Sequence, residues 1–163
     1  NSNAAGLSPL TNWTNNQDLL INSGAQLNGG KLSHAVSCSW TNNGTFNGET
    51  STVTFDSSGG TDAINGSGAN NFNNLIFATG TTMDVLADVN ITADFTNNGT
   101  LVSLIDQLVK FEGSGASILG GTATTIFDGL EIDKSTNEVQ MTVNAEITGD
   151  LILTNGPLDL NGN

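Results

Sequence analysis

Apolar and polar residues alternate along almost the whole of this chain. Met83-x-Val85-x-Ala87-x-Val89-x-Ile91-x-Ala93-x-Phe95 keeps a period of two from end to end, and Val139-x-Met141-x-Val143-x-Ala145-x-Ile147 repeats the pattern. Val53-x-Phe55 is a shorter instance. Period two is the signature of strands with one face buried. The two long runs exceed an ordinary strand, so each is expected to bend once, near Ala87 and near Val143-Asn144. Between the runs lie turn signals: Asn47-Gly48, Ser57-Ser58-Gly59-Gly60, Asn65-Gly66, Gly113-Ser114-Gly115 and Asn155-Gly156. Helix formers are too thinly spread to build an amphipathic helix.

The pattern recurs at a distance. Phe72-x-x-Leu75-x-Phe77 is matched by Phe127-x-x-Leu130-x-Ile132, at an offset of 55. At offsets of 54 to 56, Phe55 pairs with Phe111, Ile64-x-Gly66 with Ile118-x-Gly120, Ile91 with Ile147, and Phe95 with Leu151. A shorter echo links Trp13-Thr14-Asn15-Asn16, Trp40-Thr41-Asn42-Asn43 and Phe95-Thr96-Asn97-Asn98, spaced 27 and then 55. A fixed period in this range marks a repeat architecture whose units bury apolar faces against one another. The spacing predicts a coil in the low-to-mid twenties, hence six or seven coils.

Two all-β architectures fit: a parallel β-helix (β-solenoid) built from tandem repeats of about 55 residues, or tandem antiparallel β-sandwiches closed by Asn-Gly hairpins. The short echo favours the β-helix, because a sandwich has no reason to return Trp-Thr-Asn-Asn so soon. The predicted organisation is a flexible or capping segment over residues 1–12, then a single solenoid over 13–163. Its repeats fall at about 41–95 and 96–151, with partial repeats on either side.

Charge narrows the partners. The chain carries a net charge of −13 with three Lys, no Arg and one His. That argues against nucleic acid, whose phosphates require cations. No apolar run is long enough to span a membrane. The chain opens at Asn1 without Met or signal peptide, which suggests a processed product or an excised segment.

Candidate chemistry is sparse. His34 is the single imidazole and is expected to be structural. Cys38 shares the parity of Val36 and Trp40, so it is expected to be a buried thiol. Ser33, Ser37 and Asp18 carry no triad signal, because Ser and Asp are frequent. Lys31, Lys110 and Lys134 are scattered. Asp56, Asp62, Asp84, Asp88 and Asp94 lie near turns, where they would share Ca²⁺ only weakly. No catalytic, cofactor-binding or metal-ligating set is assigned, and no cofactor is implied.

The succession Val109-x-Phe111, Ile118-x-Gly120, Phe127-x-x-Leu130-x-Ile132, Val139-x-Met141, Ile147-x-Gly149-x-Leu151-x-Leu153-x-Asn155-Gly156-x-Leu158 resembles the β-strand repeats of very long secreted proteins of Bacteroidetes and related bacteria. The resemblance covers about residues 40–163. It implies an adhesin- or autotransporter-passenger-like surface protein, exported by the type IX route. The expectation is a non-enzymatic extracellular segment acting as spacer and contact surface. Its partners would be further copies or further repeats stacked end to end, and surface polysaccharide. The alternatives are a subunit of a self-assembling filament or sheath, and a carbohydrate-binding module. A row of exposed aromatics would mark the module, and here the aromatics fall mostly on apolar parity.

Overall fold

The computed structural model describes residues 6–103 and 106–161, and these contain strands and no helix. The first turn comprises β1 (Thr14–Asn15), β2 (Leu19–Ile21) and β3 (Gln26–Asn28). The second has β4 (Ser33–Val36), β5 (Trp40–Asn42) and β6 (Thr45–Asn47), and the third β7 (Thr52–Phe55), β8 (Thr61–Asn65) and β9 (Ala69–Phe72). Then come β10 (Asn74–Phe77), β11 (Thr82–Val85), β12 (Val89–Ile91), followed by β13 (Phe95–Asn97), β14 (Thr100–Ser103), β15 (Leu108–Gly113). The sixth turn holds β16 (Ser117–Gly121), β17 (Thr125–Phe127) and β18 (Gly129–Lys134). The seventh holds β19 (Val139–Met141), β20 (Ala145–Ile147) and β21 (Leu151–Asn155), and β22 (Leu158–Asp159) opens another.

Every third strand pairs in parallel, so the chain winds into a three-faced β-solenoid. The first face runs β1-β4-β7-β10-β13-β16-β19-β22 and the third runs β3 to β21 in steps of three. The second face runs β2-β5-β8-β11-β14 and breaks there; β17 and β20 pair with each other alone. A β-bulge between Met83 and Asp84 marks the approach to that break. Turns are uneven in length. Met83 stands opposite Leu101, whereas Phe95 stands opposite the more distant Leu119. Seven turns at the β spacing make a rod of about 34 Å.

The inward positions form stacked columns. On the first face Val53, Leu75, Phe95, Leu119 and Met141 lie over one another, and on the third Phe72, Ile91, Phe111 and Ile132 do so. All of these are buried. A run of ring contacts threads the core from Trp40 through Phe55, Phe77 and Phe95 to Phe127, with centroids 5.3 to 6.3 Å apart. Buried apolar area of this kind is the main favourable term, and one turn alone has no neighbour to bury it against.

The long sequence period spans eight strands, which is two turns and two faces. Phe72 lies on the third face and Phe127 on the second; Leu75 lies on the first and Leu130 on the third. Phe72, Leu75, Phe127 and Leu130 are all buried, as a repeat that buries apolar faces requires, but each match moves to another face. The match of Ile64 to Ile118 is also off by one, because Ile64 is buried and Ile118 exposed. Leu119 and Gly121, at an offset of 55, are the equivalents of Ile64 and Gly66. The shorter echo, at 27, is four strands, one turn and one face.

What the period does preserve is a corner. Asn42 and Asn97 are buried, and each accepts the N–H two positions on, from Gly44 at 2.9 Å and from Gly99 at 3.1 Å. Each amide also donates across the corner, Asn42 to the Ala69 carbonyl and to Asn70, Asn97 to Thr125. One turn on, Gly66 (φ +109°) and Gly121 (φ +125°) pass over them so closely that a β-carbon would collide with the Asn42 and Asn97 carbonyls.

The long alternating run 83–95 crosses two corners, not one, and supplies β11, β12 and β13. The second run bends once, between Met141 and Ala145. The opening segment contributes a bridge at Leu7, opposite Leu27 on the third face; residues 1–5 lie outside the described residues, as do 162 and 163.

Candidate functional site

Corners of a solenoid leave backbone N–H groups without ladder partners, and buried donors must find acceptors elsewhere. Here Asx side chains supply them across the turns. Asn12 accepts from Ser33 N–H, Asp18 from Ser39, Asn74 from Asp94, Asp88 from Leu108 at 2.9 Å and Asp94 from Ile118 at 2.8 Å. The Asp88 and Asp94 carboxylates, candidates for weak Ca²⁺ binding, thus cap the following turn, while Asp56 accepts the Ser37 hydroxyl. Among the described residues, no three His, Cys, Asp or Glu side chains are grouped to hold a metal ion.

His34 is buried in β4 and stacks on Trp13, centroids 4.5 Å apart. Its Nε2 lies 2.8 Å from the Gly29 carbonyl, and a carbonyl only accepts, so Nε2 carries the proton. The hydrogen bonds of Ser37 and Asp18 lead elsewhere, so these residues do not assemble around the imidazole.

Cys38 departs from expectation. It is half-buried rather than sealed in the core, because residues 37–39 form the corner between β4 and β5 and the strand parity lapses there. Desolvation pushes its thiol pKa up, and the carboxylates of Asp62 and Asp18 push it further in the same direction. The thiolate, which is the nucleophile, is thereby disfavoured.

Two lysines matter more than their scatter along the sequence suggests. Lys134 is fully buried, and its Nζ donates to the Thr92 carbonyl at 3.0 Å, the Glu112 carbonyl at 2.7 Å and Ser117 Oγ at 2.9 Å. Three acceptors match the three donors of an ammonium, so Lys134 clips the fourth, fifth and sixth turns together. Burial pushes its pKa down from the usual 10.5, while the Asp94 and Glu112 carboxylates offset part of that shift. Lys110 lies outside, 2.7 Å from Asp133, 3.6 Å from Glu131 and 4.0 Å from Glu112. The Asp133 hydrogen bond holds Lys110 above its usual value, and the same contact holds Asp133 below its own. The sequence signal for Lys134 is its parity with the buried Leu130 and Ile132.

The outer surfaces differ. The third face carries Asn28, Asn47, Asn71 and Asn90 in register, then Lys110 and Glu131. From β1 to β19, the outward positions within the first-face strands hold no ionisable residue. The ends are apolar. Leu7, Leu10 and Leu20 are exposed at one, beside an open cleft of about 650 Å³ lined by Trp13, Leu19 and Ile21. Leu151, Ile152, Leu153 and Leu160 are exposed at the other.

The arrangement is that of a β-solenoid with polar outer faces. Comparison with known protein families, with curated proteins and with solved structures finds no match. Among the described residues there is no helix long and apolar enough to cross a membrane.

Proposed function

We propose that this chain is a non-enzymatic, extracellular segment of a bacterial surface protein, serving as spacer and contact surface. The reading is carried by where apolar side chains meet solvent. Between the ends, the exposed large apolar residues among those described are Leu86, Ile118 and Ile126. At the ends they cluster, and on β21 even the inward Leu151 and Leu153 are 46% and 58% exposed. A further parallel turn would bury them and pair the open strand edges, which otherwise template association. That turn would come from another copy or from more of the same chain. The resemblance to secreted Bacteroidetes repeats supports a surface location and the type IX route.

The same two ends favour a second reading, a subunit of a self-assembling filament, because a head-to-tail contact that does not close makes fibres. Light scattering over a concentration series tests both. Association should rise with concentration and weaken in Leu153→Lys and Leu160→Lys. A strictly monomeric species at high concentration would overturn end-to-end stacking, and negative-stain microscopy separates short rods from fibres.

A further inference from the structure

We infer that the first face binds a neutral β-1,4-linked polysaccharide laid along the solenoid axis. The inference rests on the reading of this chain as a contact surface and names the partner and the face.

The central outward row of that face reads Thr14, Ala35, Thr54, Ile76, Thr96, Gly120, one residue per turn in continuous register. Thr142 lies over Gly120 and ends the row, its hydroxyl turned inward to the Leu119 carbonyl. Threonine therefore occupies turns one, three, five and seven, and alanine, isoleucine and glycine the turns between. Like hydroxyls recur every two strand spacings, about 9.6 Å. In a β-1,4-linked chain successive sugars are flipped, so equivalent hydroxyls also recur every second sugar, at close to that distance. The Thr14, Thr54 and Thr96 hydroxyls would meet one hydroxyl per disaccharide, and the Ala35 and Ile76 side chains would lie under the sugar C–H faces.

Three further observations favour this occupant. The hydroxyls of Thr54 and Thr96 make no hydrogen bond to a described residue, so they are available. The row and its in-strand neighbours Ser33, Thr52, Asn74, Ile118 and Gln140 are uncharged in a chain of net charge −13. Of the carboxylates that flank the row at the corners, Asp94 accepts the Ile118 N–H and Asp56 the Ser37 hydroxyl. An anionic polymer would still be repelled by the remaining surface, and a neutral one would not. The strip is also long and narrow, roughly 29 Å by 7 Å. That falls far short of the ~800 Å² per partner of a stable protein interface. With no aromatic platform, affinity per sugar is weak and accumulates with the number engaged.

The test incubates the whole chain with suspended cellulose, with chitin and with calcium alginate, and measures the bound fraction by sedimentation. Binding to cellulose or chitin but not to alginate is expected. Thr54→Glu and Thr96→Glu should each weaken it at least tenfold, and Asn47→Glu on the third face should leave it unchanged. If the glutamate variants fail to fold, Thr96→Val keeps the shape and removes the hydroxyl, and should weaken binding several-fold. The paired change Ala35→Thr with Thr54→Ala keeps the hydroxyl count but breaks its phase, and should weaken binding too. Absence of binding to both neutral polymers, equal binding to alginate, or unaltered binding by Thr96→Val and the phase variant would overturn the proposal. So would association of copies through this face, seen as self-association abolished by Thr96→Glu. End-to-end stacking is scored separately by light scattering, where Thr96→Val should behave as the parent.

Discussion

Asn97 lies directly beneath Gly121, one turn apart, and the asparagine carbonyl fills the space a β-carbon on that glycine would need. Asn42 and Gly66 repeat the relationship one sequence period earlier. A tight corner over a buried amide thus admits only glycine, for lack of room and because φ is positive.

Gly66→Ala and Gly121→Ala are therefore expected to destabilise by about 2–4 kcal/mol each, through backbone strain and the displaced carbonyl. Gly59, with open space around its α-carbon, is the control; Gly59→Ala should be neutral or slightly stabilising. Urea unfolding midpoints check all three.

Lys134→Met should cost about 1–3 kcal/mol, because the Thr92 and Glu112 carbonyls and Ser117 Oγ lose their donor. The pH dependence has a definite sign. The folded ammonium titrates below 10.5 and the unfolded one at 10.5, so in that window the unfolded chain holds more protons. Stability contributed by this group rises with pH there. Lys110 is shifted upward, and its contribution is lost only above 10.5. Cys38, whose thiol pKa is raised above 9.0, acts in the opposite sense from pH 9.0 upward, so the check is a difference. In unfolding curves taken between pH 8 and 10.5, the destabilisation caused by Lys134→Met should grow with pH.

Leu75→Ala and Leu130→Ala remove fully packed side chains from two different faces. Each should cost about 2–5 kcal/mol. Near-neutral midpoints for both would contradict the stacked columns.

Cys38 should react with a water-soluble disulfide reagent while the chain is folded, but more slowly than an unfolded control. The rate should climb as pH approaches the raised thiol pKa, since thiolate is the reacting form. Complete protection until unfolding would mean that the corner is closed.

Much of this fold was legible as alternation. Val53, Phe55, Leu75, Phe77 and Phe95 point inward as their parity required, because a strand carries parity faithfully over its own length. Corners reset it. Cys38 was misplaced for that reason, and the 83–95 run concealed two corners because Ala87 and Ala93 are small enough to continue the pattern through a bend. The Trp-Thr-Asn-Asn echo was visible, but its first asparagine turned out to be a buried corner amide at Asn42 and Asn97, which residue class does not reveal. Lys134 shows the same limit: a long amine reads as surface unless three oxygens are known to converge on it.

Eight strands per sequence period and three per turn share no common factor, so the two repeats slide against each other like a vernier. A motif copied one period along is carried two-thirds of the way around the rod, and returns to its original face only after three copies, or eight turns. Growth of such a chain by duplication would distribute any surface feature over all three sides. The threonine row does the opposite, holding to one side for seven turns, so that stripe is written across the duplication rather than by it.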